Sequence, residues 1–165
     1  MQTPMHIRPM LSADLDAVLR VQAACYPPAM QEAAAVVKAR LDAAAATCLA
    51  ASDAEGVCGY LFAYPSRLGR VTDLGSPFKI APDADTLYLH DLAVDPRALG
   101  RGLGGALVEQ LLDLGRGLEL PHAALVSVQD STGFWSSLGF AARATGDAGL
   151  RTYPAGAVYM TRPLA

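Results

Sequence analysis

Four glycines within six positions are the feature that most constrains this chain. Gly100, Gly102, Gly104 and Gly105 stand before an apolar run with helical spacing, in the segment LHDLAVDPRALGRGLGGAL (89–107). Each glycine costs about 1 kcal/mol against alanine inside a helix, so this density indicates a task for the backbone. A helix N-terminus has unpaired N–H groups and a dipole that favours anions, and glycine lets a bulky anion approach closely. The segment therefore predicts a phosphate cradle.

Composition bounds the class of protein. The 165 residues indicate one domain over residues 1–165, and 52% hydrophobic against 18% charged residues argues against disorder. The net charge is -3 with no cluster of Lys or Arg, so neither nucleic acid nor an anionic membrane is an expected partner. The opening residues lack the basic start and apolar core of a secretory signal, and no apolar run reaches a spanning length. We therefore expect a cytoplasmic protein.

The cysteines and histidines predict no metal site. Cys25, Cys48 and Cys58 are odd in number, widely spaced and form no C-x-x-C pair. We expect them to be buried free thiols in a reducing compartment. The three histidines stand near neither a cysteine nor one another. No metal ligand set is expected.

A strand and two helices precede a pair of strands, and a strand, helix, strand, helix and strand follow; this order predicts a mixed α/β domain. The second and third predicted strands form an antiparallel hairpin. Ser12 is the expected cap of the first helix, and Gly139 the expected stop of the last. Residues 66–85 form a long segment without periodicity, of the kind that serves as a lid or binding loop. Strands are predicted over 5–10, 47–52, 57–65, 86–94, 122–128 and 157–163, and helices over 13–25, 31–45, from the glycines to about 118, and 131–138.

Two nucleotide-binding patterns fit the glycines poorly. Residues 100–105 match G-x-G-x-x-G, but that fingerprint follows its strand directly, whereas 95–99 intervene here, and only 60 residues remain after Gly105. The ATP-type loop is absent because no lysine follows the glycines. A nucleotide-dependent oxidoreductase is therefore kept only as an alternative.

Three segments match, in order, the motifs of one enzyme superfamily. Gly102 and Gly104 fit Q/R-x-x-G-x-G/A, although Leu99 takes the first position; GFWSSLGF (133–140) looks like FYxxxGF, and the opening 7–22 is also typical. The chain thus resembles the GNAT superfamily of acyl-CoA-dependent N-acetyltransferases over essentially its whole length. The resemblance implies a single-domain α/β (α+β) fold, with a mixed central sheet of about six to seven strands flanked by about four helices.

The resemblance also implies where acetyl-CoA, the co-substrate, would bind. The pantetheine arm would lie along the central strand, where a backbone N–H polarises the thioester carbonyl. The pyrophosphate would rest on the glycine segment, with Arg97 and Arg101 beside it. The acetyl-CoA residues expected are Leu92, Ala93, Val94, Gly100, Arg101, Gly102, Leu103, Gly104, Gly105 and Trp135.

His90 is the candidate catalytic base. An alkyl amine has a pKa of ~10.4, so it must lose a proton before attack. The strand is similar to that of arylalkylamine N-acetyltransferases, where histidines take the positions of Tyr88 and His90; only the second is kept here. Asp91 is the alternative base, or an anchor for a loop. Regular alternation puts Tyr88, His90 and Leu92 on one face and Leu89, Asp91 and Ala93 on the other, unless a bulge intervenes.

A second proton concerns the departing thiolate. The family commonly places a tyrosine where this chain has Trp135, and an indole N–H is not an acid at physiological pH. A thiol pKa of roughly 8.5 makes the thiolate a tolerable leaving group without help. Tyr153 is the candidate acid, with Tyr159, Ser136 or a water left open.

The acceptor is the least constrained part. Tyr26, Phe78 and Tyr88 are candidate walls of a substrate pocket. The predicted function is transfer of an acetyl group from acetyl-CoA to a primary amine, by direct attack in a ternary complex. The alternatives are an acyl-CoA-binding module without turnover and an acetyltransferase of protein N-termini or lysines. Small-molecule and peptide amines, longer acyl groups and a homodimer all stay open.

Overall fold

The chain forms a seven-stranded mixed sheet with helices on both faces. The computed structural model describes residues 4–164, and the sheet order is β1-β2-β3-β4-β5-β7-β6. All neighbours are antiparallel except β4 and β5. The strands are β1 (His6–Pro9), β2 (Cys48–Asp53), β3 (Gly56–Ser66), β4 (Thr86–Val94), β5 (His122–Ser127), β6 (Ala141–Ala142) and β7 (Val158–Pro163); the helices are α1 (Leu15–Cys25), α2 (Ala34–Ala44), α3 (Leu103–Gly117) and α4 (Thr132–Ser137). The expected α/β class and mixed sheet are confirmed.

Two apolar cores cover the two faces of the sheet. On one face α3 packs the leucines of its inner stripe against Leu61, Leu87 and Leu89. On the other face α1 and α2 pack against aromatic side chains of β3 and β4. Both faces of the central strands are therefore buried, which accounts for the near-continuous apolar runs in their sequences.

The start of α1 differs from the prediction. Ser12 does not cap the helix, and a 3-10 turn over Ser12–Asp14 precedes it. The Asp14 carboxylate instead accepts the Leu11 amide N–H at 2.8 Å and pairs with the Arg8 guanidinium at 2.7 Å. The Arg8 hydrogen bond, against the effect of burial, lowers the pKa of Asp14. The Asp14 side chain, inside the turn, therefore fixes the start of the helical segment, where Ser12 was the expected cap.

Three other element boundaries bear on the predictions. Helix α2 begins at Ala34, three residues after the expected start. Strand β6 was not expected because two residues are too short to show a period. Gly139 has the left-handed φ of +89° at the end of α4, which confirms it as a stop.

Strand β4 carries a bulge at His90, and beyond it the sheet opens. Phe62 pairs with Asp91 and Ala63 with Leu89, so His90 is skipped in the register. Strands β4 and β5 pair only as far as Leu89 and Leu125. Past these residues β4 continues along β3, while β5 continues along β7. A wedge-shaped gap therefore opens in the middle of the sheet.

The segment between β3 and β4 is pinned rather than free. The amide of Val71 donates to Asp147 Oδ2 at 3.1 Å, and that of Leu74 donates to Thr152 Oγ1 at 2.9 Å. The amide of Gly75 donates to Glu32 Oε2 at 2.7 Å. These bonds tie the segment to the turn before β7 and to the linker before α2. Of the two roles expected from its length, a lid or a binding loop, these hydrogen bonds favour a fixed loop over a mobile lid.

The described helices include none that is both long and apolar enough to cross a membrane.

Cys48 and Cys58 are buried free thiols, whereas Cys25 is only half-buried and donates to the Val94 carbonyl at 3.2 Å. Among the described residues there is no group of three metal-ligating side chains that could hold an ion.

Gly149 tests how tightly the pinned segment packs. A Cβ there would lie 2.5 Å from Asp73 Oδ1 and 2.7 Å from the Val71 carbonyl oxygen, so Gly149→Ala forces the backbone to move. We expect a loss of about 1–3 kcal/mol in the free energy of unfolding, measured by urea denaturation. Gly146→Ala is the matched control, because a Cβ there meets nothing within 4 Å. Equal midpoints for the two variants would contradict the tight packing.

Candidate active site

The glycine segment forms the start of α3. Gly100 and Gly102 have φ values of +79° and +71°, a left-handed conformation that glycine adopts without strain. Gly102 is the N-cap, and the first helical hydrogen bond runs from the Ala106 amide to the Gly102 carbonyl at 3.1 Å. The amide N–H groups of Leu103, Gly104 and Gly105 precede that bond, so the helix itself does not use them. They are available to an anion.

The space in front of these amides is open. A Cβ at Gly105 would meet nothing within 4 Å, while one at Gly104 would lie 3.4 Å from the Phe134 ring. Glycine therefore serves two needs in this turn. At Gly102 it permits the backbone conformation, and at Gly105 it leaves room for a ligand.

The two arginines beside the glycines are turned away from them. Arg97 Nη1 lies 2.8 Å from Asp53 Oδ2 and 3.1 Å from Glu55 Oε2. Arg101 Nη1 lies 3.8 Å from the same Asp53 oxygen. The Arg97 hydrogen bond lowers the pKa of Asp53. Leu99, at the usual Arg or Gln position, is 64% exposed. The backbone amides are thus the groups best placed to hold an anion.

A cavity of about 410 Å³ runs from the glycines into the gap between β4 and β5. Its floor is apolar and includes Leu61, Leu89 and Leu125. Two predicted acetyl-CoA residues, Ala93 and Arg101, do not line it. The predicted residues that do are Leu92, Val94, Gly100, Gly102, Leu103, Gly104, Gly105 and Trp135.

The edge of β4 that faces the gap is partly occupied by side chains. The Tyr26 hydroxyl donates to the Leu92 carbonyl at 3.0 Å, and the Cys25 thiol donates to the Val94 carbonyl at 3.2 Å. In an antiparallel pair both polar groups of a residue point to the same edge, so the amides of Leu92 and Val94 also face the gap. Ala93 faces β3 instead, with which it is in register at Tyr60. This explains why Ala93 contributes nothing to the cavity.

Trp135 forms an apolar wall of the cavity. It is 8% exposed, and its ring packs edge-on against Phe134 and Phe140 at centroid distances of 4.9 and 5.6 Å. This packing is the reason for an aromatic residue here. It supplies no proton donor comparable to a phenol.

A second cavity, of about 30 Å³, adjoins the first. Tyr26, His90 and Asp91 line both cavities, and Val126 and Val128 complete the shared wall. The remaining lining residues are Met30, Glu32, Leu74 and Tyr153. His90 and Asp91 therefore stand at the junction of a long apolar channel and a small polar pocket.

Glu32 organises the wall of the small pocket. Its Oε1 lies 3.0 Å from His90 Nε2 and also pairs with the Arg40 guanidinium, and its Oε2 accepts the Gly75 amide at 2.7 Å. Burial raises the pKa of Glu32, but hydrogen bonds from His90 and Arg40 outweigh it and set the value at about 2. Glu32 is therefore an ionised carboxylate, and His90 Nε2 carries a hydrogen. The Gln22 side-chain amide holds the Glu32 backbone at 3.0 and 3.1 Å.

The other ring nitrogen of His90 faces Tyr153. Nδ1 lies 3.3 Å from the Tyr153 hydroxyl, which donates its proton to the Thr72 carbonyl at 2.7 Å. Nδ1 is thus the ring atom that can accept a proton. Burial, with the negative charge of Glu32 adding to it, raises the pKa of Tyr153, which makes it a poor acid. Tyr153 lines the small pocket but not the long cavity.

The bulge brings Asp91 to the same side as His90. The Tyr60 hydroxyl, on the α1 face of the sheet, donates to Asp91 Oδ2 at 2.9 Å. Asp91 Oδ1 is buried and accepts no hydrogen bond from the described residues. Burial raises the pKa of Asp91, against the lowering by His90, Tyr60 and Tyr26. Regular alternation, which separates His90 from Asp91, is wrong at this point of the strand.

Two predicted substrate residues lie outside both cavities. Phe78 stacks on Tyr64 at a centroid distance of 4.2 Å, with the Arg40 guanidinium 5.1 Å above its ring. Tyr88 is 1% exposed within the core. Of the three expected aromatic walls, the structure brings only Tyr26 into the site. Phe78 supports Arg40, and hence Glu32, from behind.

Residues 15–140 match the model of the acetyltransferase (GNAT) family, and the chain belongs to this family. Membership supports acyl transfer from an acyl-CoA. No curated protein matches the chain in sequence. The single antiparallel-dominated sheet also differs from the doubly wound parallel sheet that a dinucleotide-dependent oxidoreductase needs.

Solved structures share the fold at low sequence identity. The ribosomal-protein-S18-alanine N-acetyltransferase from Escherichia coli is 17% identical, with a TM-score of 0.69 and coverage of 98% of this chain and 95% of that one. The PaiA N-acetyltransferase from Thermoplasma acidophilum, in complex with coenzyme A, is 14% identical, with a TM-score of 0.72 and coverage of 97% and 99%. The GphF GNAT-like decarboxylase, in complex with isobutyryl-CoA, is 17% identical, with a TM-score of 0.77 and coverage of 97% and 100%. These likenesses show the fold alone.

The Glu32 cluster predicts a stability that depends on pH. The folded-state pKa of Glu32 is lowered from 4.5 to about 2. The ionised carboxylate therefore stabilises the fold fully above pH 4.5, and this stabilisation is lost as the pH falls from 4.5 to about 2. We expect Glu32→Gln to reduce the free energy of unfolding by about 3 kcal/mol near pH 6 and by much less near pH 2, measured by urea denaturation.

Asp42→Asn is the matched control, because the Lys38–Asp42 ion pair is exposed on α2. Its cost should stay below about 1 kcal/mol at either pH. A cost of Glu32→Gln that does not change between the two pH values would show that Glu32 is not the ionised centre of this cluster.

Proposed function

We propose that the protein is an N-acetyltransferase that moves an acetyl group from acetyl-CoA to a primary amine. The observation that carries the proposal is the continuity of the site. Free amides at the start of α3 lead along an apolar channel to a polar pocket that holds two carboxylates and a histidine. Each part matches one portion of the reactants: pyrophosphate, pantetheine arm and amine.

The gap-facing amide of Leu92 supports a role in polarising the thioester. It lies on the free edge of β4, where the Tyr26 hydroxyl holds the Leu92 carbonyl in place. A donor fixed in a largely apolar channel stabilises the negative charge that develops on a carbonyl oxygen under attack. The amine nitrogen forms a bond to the acyl carbon, the C–S bond breaks with its electron pair on sulfur, and the nitrogen releases one proton that water carries to the thiolate. Before this attack, the ammonium form of the amine has to lose a first proton.

His90 is the proposed acceptor of that proton. Glu32 holds Nε2–H, orients the ring and stabilises the imidazolium that forms, in the manner of the carboxylate in a catalytic triad. Nδ1 is the accepting atom. The His90 side chain is only 2% exposed, so the proton passes through a water in the small pocket. Glu32 is a positioning residue in this scheme.

The thiolate leaves without a dedicated acid in our proposal. Trp135 cannot protonate it, and the buried phenol of Tyr153 lies in the small pocket, outside the long cavity. A pKa of roughly 8.5 for a simple thiol makes an unprotonated leaving group acceptable.

Leu99 in place of the usual Arg or Gln, and Trp135 in place of the usual tyrosine, also suit an acyl-CoA-binding module without turnover. Tight acetyl-CoA binding with no thiol release across an amine panel would favour the module.

The anion site is tested by a charge placed at Gly105. Gly105→Glu puts a carboxylate where the structure is open. The helix dipole favours this negative charge, but the charge repels a pyrophosphate bound at the same amides. We expect at least a tenfold rise in the KM for acetyl-CoA and in the Kd for CoA, with a melting temperature that does not fall. Gly105→Gln, of equal length and no charge, should cost clearly less. Equal effects of Glu and Gln would point to steric exclusion instead of anion binding.

The base is tested by the pH dependence of a His90 variant. His90→Ala should lower kcat with an alkyl amine about 100-fold at neutral pH and less near pH 10, where free amine is plentiful. His122→Ala, at the far end of β5, is the control and should leave kcat unchanged at both pH values. A ratio of variant to wild-type kcat that is flat across this range would remove His90 from the mechanism.

A further inference from the structure

One buried carboxylate oxygen at the junction of the two cavities has no hydrogen-bond donor among the described residues. Asp91 Oδ2 accepts the Tyr60 hydroxyl, but Oδ1 accepts no hydrogen bond within the described part of the chain. The Tyr26 hydroxyl also faces Asp91, but it gives its single proton to the Leu92 carbonyl. A buried acceptor without a donor is costly, and a ligand donor at this site would remove that cost.

The neighbouring charges leave Asp91 as the carboxylate that lacks a cation. Glu32 is neutralised by Arg40 and, through Oε1, bonded to His90. The groups that face Asp91 are the two tyrosine hydroxyls, His90 and the more distant Glu32 and Cys25. Burial raises the pKa of Asp91, and His90 with the two tyrosine hydroxyls does not offset it. The small pocket therefore favours a ligand that brings its own cation.

The dimensions of the small pocket limit what can surround that cation. Its volume of about 30 Å³ is close to that of one or two water molecules. Met30, Leu74, Val126 and Val128 give this otherwise polar pocket one apolar side. An ammonium group followed by a CH₂ fits this combination of size and lining. A second carbon substituent on the atom next to nitrogen would have to lie outside this pocket, in the channel proposed for the pantetheine arm.

We propose that Asp91 Oδ1 binds the ammonium group of an unbranched primary alkylamine, which is the acceptor of this enzyme. This inference rests on the proposed function and narrows its substrate to amines of the R–CH₂–NH₃⁺ type. The alkylamine of a small metabolite and a lysine side chain share this chemistry, whereas a peptide N-terminus other than glycine is branched at the α-carbon. Asp91 holds the cation beside the thioester channel, and His90 receives its proton.

The inference is tested by binding, without turnover. Propylamine, isopropylamine and 1-propanol are titrated by calorimetry at neutral pH into the full chain saturated with free CoA. We expect propylamine to bind at least tenfold more tightly than isopropylamine, its branched isomer, and 1-propanol, its uncharged analogue. These three ligands test the site in the wild-type protein, so the result does not depend on any variant folding.

Asp91→Asn then identifies the anchor. We expect at least a tenfold loss of propylamine affinity with unchanged affinity for CoA, which reports an intact fold. Asp85→Asn is the control, since Asp85 lies at the other end of β4 and accepts hydrogen bonds from Leu68 and Thr86. It should change propylamine affinity by less than twofold.

Three results would overturn the inference: no propylamine binding to the CoA-loaded wild type, equal binding of the branched isomer, or equal binding by Asp91→Asn. A separate assay of thiol release from acetyl-CoA tests the proposed function. Propylamine binding without any thiol release would reject the transferase and keep the ammonium site. Thiol release with other amines, in a protein that does not bind propylamine, would reject the ammonium site alone.

Discussion

The separation of β4 from β5 beyond Leu89 is the constraint on which the site depends. A sheet interior normally pairs every backbone group, and here two strands give up that pairing over half of β4. The bulge at His90 keeps β4 bound to β3 while the strand turns away from β5. The result is a free strand edge inside the protein, placed between the cradle at the start of α3 and the small pocket.

Glu32 couples the rest of the molecule to that edge. Its side chain joins α2 through Arg40, β4 through His90 and the segment before β4 through Gly75, and its backbone joins α1 through Gln22. Three parts of the chain thus share one buried carboxylate, and a fourth holds its backbone. The pinned segment and the orientation of His90, the proposed base, follow from the same set of bonds, so the pocket is preformed.

Local sequence accounts for the channel but not for the pocket. The strand, the glycines and α3 are contiguous, so their periodicity and turn chemistry could be interpreted directly. The α/β class followed from the order of elements, and the mixed sheet from the family resemblance. Glu32 and His90 are 58 positions apart, and nothing near Glu32 marks it as a partner of the histidine. Regular alternation places Asp91 on the opposite face, and nothing in the local sequence shows that the bulge falls at His90. Phe78, an apparent pocket wall, is held in the core by Tyr64 and Arg40.

The side chains that cover the free edge of β4 also affect how the protein behaves among other chains. An open strand edge is a template for extended peptides, and proteins usually hide such edges to avoid aggregation. Here the Tyr26 hydroxyl and the Cys25 thiol already occupy the Leu92 and Val94 carbonyls. An invading strand would have to displace both donors, whereas a thioester oxygen, which only accepts, needs nothing but the neighbouring amides. The groups left free on this edge are therefore hydrogen-bond donors. They suit an accepting oxygen of a co-substrate better than an extended strand of another chain, which needs donors and acceptors alike.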